Sequence, residues 1–144
     1  MNKAKQKGSA WEADAVDELE ELIEGSHWVR VAGSGALGSL MGEPLLMSDI
    51  TGSIPGFHKK FRVECKVGYN NSTGKEVLQF TLKKEWLDKI KQEALASYSF
   101  PFLIGKFSNA RSGVKHFVVM DVKDFAELLN YLSEMKEDLD KQMT

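Results

Sequence analysis

Two acidic residues and one lysine are spaced so that they can meet at one point of a β-hairpin. Apolar and charged residues alternate through residues 61–67, as in a strand that has one core face. Glu64 and Lys66 would then lie on the same face, roughly 7 Å apart along the strand. A turn at residues 55–56, a Pro-Gly pair, would bring Asp49 opposite Glu64. Two carboxylates beside an ammonium group are suited to a hard divalent cation next to a group that handles protons or stabilises charge.

The Glu-x-Lys spacing alone has a simpler interpretation. An acid also stands two residues before a lysine at Asp121 and Glu134, in helical patterns where residues two apart do not face each other. For Glu64 and Lys66 the alternative is a solvated ion pair on an exposed sheet face, which contributes little to stability. The strand is predicted to carry Phe61, Val63, Cys65 and Val67 on its core face and Arg62, Glu64 and Lys66 on its open face.

Charge is unevenly distributed along the chain, although the net charge is only −2. Residues 59–116 contain 12 basic and 5 acidic side chains, whereas residues 1–58 contain 4 and 9 and residues 117–144 contain 3 and 7. A local basic patch attracts phosphate backbones whatever the total charge, so DNA is a candidate partner. The alternative is a lysine-rich, solvated helix face.

The single cysteine excludes an internal disulfide and indicates a reducing compartment. The three histidines are scattered without the spacing of zinc ligands. No apolar run approaches the length of a membrane span, and no apolar signal segment follows the N-terminal lysines. We therefore expect a cytoplasmic protein of a prokaryotic cell or viral host, folded as one domain over residues 1–144.

Hydrophobic periodicity predicts the element order α-β-β-β-α-β-β-α, which favours an α/β fold with a mixed central sheet flanked by helices. Helices are predicted at about 9–24, 81–97 and from 121 onward, and strands at about 27–32, 46–52, 59–67, 100–107 and 115–120. Each helix carries an apolar stripe: Trp11, Ala15, Leu19, Leu22 and Ile23; then Trp86, Leu87, Ile90, Ala94 and Leu95; then Phe125, Leu128, Leu129, Leu132 and Met135.

Glu12 and the loop at residues 33–36 each have two interpretations. Glu12 fits a capping box begun by Ser9, or it is a carboxylate at the edge of an apolar stripe that reaches over the sheet. The loop, Gly-Ser-Gly-Ala, is either ordinary flexible chain or a phosphate-contacting loop that offers backbone N–H groups and the Ser34 hydroxyl. It lacks the lysine and the spacing of a nucleotide P-loop, so we discount that class.

Five motifs, in this order, resemble the archaeal-type Holliday-junction resolvases of the PD-(D/E)XK nuclease superfamily. They are Lys7-Gly8 with Glu12, Val29 to Gly35, Asp49-Ile50, Val63 to Val67 and Pro101 to Phe107, within roughly residues 7–120. The resemblance implies a restriction-endonuclease-like fold and a DNA endonuclease that depends on Mg²⁺, with Mn²⁺ as a substitute. It also implies a homodimer that acts on branched DNA such as a four-way junction.

The resemblance also assigns roles to residues. Asp49 and Glu64 would bind the metal, with Glu12 as a further acidic residue of the site, and Lys66 would orient or activate the attacking water. Ser34 would join the catalytic group near the scissile phosphate. Contacts to DNA are expected from Lys7, Arg30, Gly33, Gly35, Lys83 and Lys84.

The sequence departs from the resolvases in places. Ser48 stands where the superfamily motif has proline, Ala13 stands where the resolvases often have arginine, and the segment before Asp49 is longer. Two other functions therefore stay open, namely a nuclease for ordinary duplex or single-stranded DNA and a non-catalytic nucleic-acid-binding protein with a vestigial site.

Overall fold

The computed structural model describes residues 3–31, 49–68 and 74–143, with side chains from residue 9 onward. The predicted loop at 33–46 lies outside these ranges, together with the first residues of the strand predicted at 46–52. The described elements are α1 (Lys3–Leu22), β1 (His27–Arg30), β2 (Ile50–Ser53), β3 (Lys60–Gly68), α2 (Lys84–Ala96), β4 (Ser99–Phe107), β5 (His116–Val119) and α3 (Val122–Met143). The predicted element order and the α/β class are confirmed.

The five strands form one mixed sheet in the order β1-β2-β3-β4-β5. All neighbours are antiparallel except β3 and β4, which are parallel. Parallel neighbours need a crossover connection, and α2 lies in the segment that joins β3 to β4. The mixed sheet with flanking helices is therefore the predicted architecture.

The hairpin of β2 and β3 has the predicted register. Ile50 pairs with Val63, so continuing the ladder by one residue sets Asp49 opposite Glu64. The connection turns at Pro55-Gly56, where the N–H of Phe57 donates to the carbonyl of Ile54 at 3.2 Å. Gly56 has φ +83°, the left-handed conformation that the third position of a type II turn requires. The turn signal and the strand alternation thus determine which residues meet.

The main core lies between α1 and one face of the sheet. Its buried members are Trp11, Ala15, Leu19, Trp28, Ile50, Phe61, Val63, Cys65, Phe100, Phe102 and Ile104. The opposite face of β3 was predicted to be open, and that prediction is wrong. Helix α2 lies over it, so Arg62 is only 5% exposed and Glu64 only 3%. A parallel pair of strands is normally covered on both faces, which explains the burial.

The helices also correct three local predictions. Helix α1 begins at Lys3, so Ser9 and Glu12 lie inside it and the capping-box interpretation is wrong. Leu22 and Leu95 were predicted to point inward but are 72% and 75% exposed. Leu22 is the last residue of α1, and Leu95 follows the buried Ala94 on a different side of α2.

Helix α3 begins as predicted and packs differently. The predicted cap is present, because Asp121 Oδ1 accepts a hydrogen bond from the N–H of Lys123 at 3.0 Å. The predicted inward stripe is wrong in large part: Leu128 packs against the core, but α3 has no buried residue. No helix in the described ranges is long and apolar enough to cross a membrane.

Candidate active site

Asp49 is held beside Glu64 by backbone hydrogen bonds from two strands. The N–H of Cys65 donates to Asp49 Oδ2 at 2.8 Å, and the N–H of Val31 donates to the Asp49 carbonyl at 2.9 Å. Asp49 lies directly before β2, and Glu64 lies in the middle of β3. The hairpin register and these two bonds therefore fix one carboxylate of the pair relative to the other.

Glu64 is a buried carboxyl between two lysines. Its pKa is raised from 4.5 to about 7, first by burial and then by the nearby charge of Asp49, against the opposing effects of Lys89 and Lys66. Lys66 Nζ lies 3.3 Å from Glu64 Oε1, and Lys89 Nζ lies 3.7 Å from Oε2. Within the described ranges, Oε2 is buried and accepts no hydrogen bond. An oxygen in that state can serve as a ligand for a cation.

The donor set fits a metal ion that keeps part of its water shell. Among the described residues, no three or more His, Cys, Asp or Glu side chains are grouped closely enough to hold a metal ion by themselves. Mg²⁺ usually binds through one or two carboxylates and takes its other ligands from water and substrate phosphate. Asp49 and Glu64 are such a pair, and the effect of Asp49 on the pKa of Glu64 shows that their charges interact.

Glu12 reaches the same site from α1. Burial raises its pKa, Asp49 raises it further, and Arg30 opposes the rise. Arg30 Nη2 donates to Glu12 Oε2 at 3.0 Å and to Ser9 Oγ at 2.7 Å. The structure therefore agrees with the second interpretation of Glu12, a carboxylate that reaches over the sheet. Arg30 on β1 is hydrogen-bonded to that carboxylate.

Two residues of α2 belong to this region and were not predicted as site residues. The Lys66 ammonium lies 4.8 Å from the centre of the Trp86 ring, and Lys83 Nζ lies 5.7 Å from the same centre. Lys89 contacts Glu64 from one turn further along the helix. The sequence did contain a signal for these two residues. Trp86, Lys89 and Glu93 are spaced by three and four residues, which places all three on the face of α2 that covers the sheet.

Comparison with known protein families decides which family this chain belongs to. A family profile described as "Phage putative PDDEXK endonuclease" matches residues 3–143. The chain belongs to this PDDEXK endonuclease family. Membership confirms the predicted PD-(D/E)XK superfamily and the predicted nuclease class, whose members generally use divalent metal ions.

The solved structure of Hjc, a Holliday junction resolvase from Archaeoglobus fulgidus, is similar to this PDDEXK chain with 18% identity and a TM-score of 0.48. The similarity covers 81% of this chain and 85% of that chain. A comparison with curated proteins found no match.

A cavity of about 480 Å³ opens next to Lys66 in this PDDEXK chain. Its lining combines the end of β3 with Gln79, Phe80, Thr81, Lys83 and Trp86. Two ammonium groups and two aromatic rings in one recess form a surface on which a phosphate and an unstacked base can both be bound.

The other residues predicted to bind DNA are placed differently or lie outside the described part. Lys84 pairs with Asp88 at 2.7 Å and lines a second cavity, of about 340 Å³, on the side of Asp121. The side chain of Lys7 and the residues Gly33, Ser34 and Gly35 lie outside the described ranges.

Proposed function

We propose that this protein is a DNA endonuclease that hydrolyses phosphodiester bonds with Mg²⁺, for which Mn²⁺ can substitute. The observation that carries the proposal is the meeting of the half-buried Asp49 with the buried Glu64, whose Oε2 accepts no hydrogen bond within the described ranges. Asp49 and Glu64 would hold the metal. A metal bound there would supply Lewis-acid stabilisation and a water of lowered pKa.

Lys66 is proposed to act on the reacting groups. Its ammonium group lies 3.3 Å from Oε1 of Glu64, the carboxylate whose Oε2 would bind the metal. The Lys66 side chain is 29% exposed, so it can reach both the attacking water and a phosphate oxygen. Trp86 limits the positions that this long side chain can take, because the ammonium group lies over its ring. Lys66 can therefore stabilise charge in the transition state without carrying much of the DNA affinity.

Glu12 and Arg30 are proposed to support the metal pair from the side of α1. Glu12 would hold a water of the metal, because its carboxylate is electrostatically linked to Asp49. Arg30 would contact the phosphate backbone, since its side chain is 40% exposed while one nitrogen is bound to Glu12.

Branched DNA is proposed as the substrate, with two copies of the chain acting together. The five motifs that resemble those of the resolvases support this choice. Resolution of a junction needs two symmetric cuts, while the described part of this chain offers one acidic cluster. A homodimer is the commonest way to pair two such sites. The expected location is the cytoplasm, where DNA is accessible and the buried thiol of Cys65 stays reduced.

The experiment is a cleavage assay with purified protein on four-way, forked, linear duplex and single-stranded DNA. We expect cleavage with Mg²⁺, none in EDTA, and none with Asp49→Asn or Glu64→Gln. Asp88→Asn is the matched control, since Asp88 is exposed on α2 and pairs only with Lys84 among the contacts described. Cleavage in EDTA would overturn the metal site.

Substrate choice is read in the same assay. Preference for the four-way junction supports the resolvase assignment, whereas equal cutting of linear duplex or single strands supports the general nuclease. Binding without cleavage of any substrate in Mg²⁺ or Mn²⁺ would identify a non-catalytic DNA-binding protein.

A further inference from the structure

Helix α3 is attached to the rest of the molecule along one side. Tyr131 packs against Phe57 and His58, with ring centres 4.9 and 4.8 Å apart. Glu127 Oε1 accepts a hydrogen bond from Lys59 Nζ at 2.9 Å. These contacts attach the helix to the tip of the β2–β3 hairpin and leave its other sides outside the core.

A second side of α3 is apolar and exposed. Six residues from 49% to 79% exposed share it: Val122, Phe125, Leu129, Leu132, Leu139 and Met143. At 100° per residue they form one stripe, centred about 150° around the helix from Glu127 and Tyr131. The helix is about 33 Å long and none of its residues is buried. An exposed apolar surface of this length on a folded protein indicates an interaction site.

The spacing of this stripe identifies its partner. The positions advance by three and then four residues, which is the heptad repeat of a coiled coil, whereas a helix packed on a core carries a wider stripe of period 3.6. One heptad position is polar, Lys136. A single polar residue at such a position selects register and orientation in coiled coils. A surface with this period is complementary to another helix of the same period, and this chain supplies one.

We propose that two copies of this chain associate by packing α3 against α3 in antiparallel orientation around a two-fold axis. A two-fold interface uses the same patch on both copies, so one stripe is sufficient. Pairing then places Val122 opposite Leu139 of the partner subunit and Leu129 opposite Leu132 of the partner subunit. The axis passes near residues 130 and 131.

Charge selects the antiparallel orientation. In a parallel pair, Lys136 would meet its own copy, and the acidic second halves of the helices, with Glu134, Glu137, Asp138 and Asp140, would lie side by side. In the antiparallel pair, Lys136 lies against Phe125 of the partner subunit. The last turns of the helices then lie apart, and each crosses the first turn of the other, where Asp138 lies level with Lys123 of the partner subunit and the helix dipole is positive. Glu134 and Glu137 lie level with Glu127 and Asp124 of the partner subunit.

The interface is argued from α3 alone, and it deepens the proposed function by naming the surface that pairs two active sites. The two proposals can fail separately. Cleavage of simple DNA by a single active site does not require the pair, whereas coordinated cutting of a junction does.

The first test is the mass of the protein by light scattering. The native chain is expected at twice the chain mass, and the double variant Leu129→Glu, Leu132→Glu is expected at the chain mass, with unchanged circular dichroism. Leu95→Glu is the control, because Leu95 is 75% exposed on α2 outside the stripe and its variant should stay dimeric. A native protein that is a monomer overturns the proposal; this result is expected if another segment of the same chain covers the stripe. A double variant that remains a dimer overturns it as well.

The second test determines orientation by disulfide trapping. Val122→Cys and Leu139→Cys are prepared separately, mixed and oxidised; the native Cys65 is buried and serves as the uncrosslinked background. Antiparallel packing predicts a disulfide between the two different variants. Disulfides of Leu139→Cys with itself, without the mixed product, would overturn the antiparallel arrangement. Metal-dependent cleavage of linear DNA by the double glutamate variant, measured in parallel, separates loss of the pair from loss of the site.

Discussion

Glu64→Gln should stabilise the metal-free protein above neutral pH while abolishing its activity. The physical basis is the rise of the Glu64 pKa from 4.5 to about 7, caused first by burial and then by Asp49. An acid whose pKa is higher in the folded state binds its proton more tightly there. The stability that this group contributes is therefore complete below pH 4.5 and is lost as the pH rises through 7.

The magnitude follows from the same values. Each pKa unit corresponds to about 1.4 kcal/mol, so the rise from 4.5 to about 7 corresponds to a cost of about 3 kcal/mol once Glu64 is ionised. Glutamine has the same shape and no charge to desolvate. We expect Glu64→Gln to raise the free energy of unfolding by about 3 kcal/mol at pH 8 and to change it by less than about 1 kcal/mol at pH 5.

The assay is urea unfolding in EDTA at both pH values, with Glu85→Gln as control because Glu85 is an exposed acid in the first turn of α2. Addition of Mg²⁺ at pH 8 should then stabilise the native protein and leave Glu64→Gln unchanged, because a ligand stabilises only the state that binds it. If Glu64→Gln changes the free energy of unfolding equally at pH 5 and pH 8, Glu64 is ionised at no cost in the folded protein. That result would refute the raised pKa of Glu64.

Three further outcomes are expected. Lys66→Ala should lower kcat far more than it lowers DNA affinity; single-turnover cleavage measures the first and binding in Ca²⁺ measures the second. A large loss of affinity with normal turnover at saturating DNA would instead make Lys66 a phosphate anchor. Trp86→Leu should also lower kcat, by roughly 10-fold, because the Lys66 side chain would be less constrained. If Trp86 acts only through Lys66, the double variant Lys66→Ala, Trp86→Leu should be no slower than Lys66→Ala. Gly52→Ala should lower the free energy of unfolding by about 1–3 kcal/mol in urea titrations, because the added Cβ would lie 2.1 Å from a ring carbon of Trp28; unchanged stability would show that this ring can move.

The meeting of Asp49 and Glu64 could be predicted from sequence because its determinants are local. Strand alternation placed Glu64 and Lys66 on one face, and the Pro55-Gly56 turn set the register that brings Asp49 opposite Glu64. A hairpin with a short connection has few alternative registers, and only one of them is compatible with the turn at Gly56.

The surroundings of the pair could not be predicted because they depend on a crossover. Whether the face that carries Arg62 and Glu64 is open or covered is decided by where α2 lies after it connects two parallel strands. The sequence of α2 gives the helix and its stripe, but not the strand that each residue contacts. Lys89 and Trp86 were missed for this reason. The cap stayed open as a second interpretation of Glu12 because the helix start was placed six residues too late.

Burial is also what connects the fold to the proposed chemistry. Three carboxylates, Asp49, Glu64 and Glu12, interact electrostatically at the edge of the core, and the cations that oppose them come from three different elements: Arg30 from β1, Lys66 from β3 and Lys89 from α2. When all three carboxyls are ionised, their charges balance those of Arg30, Lys66 and Lys89, so a divalent cation alone would leave this group with excess positive charge. A phosphodiester brings the negative charge that restores the balance. Metal and DNA are therefore expected each to bind more tightly in the presence of the other.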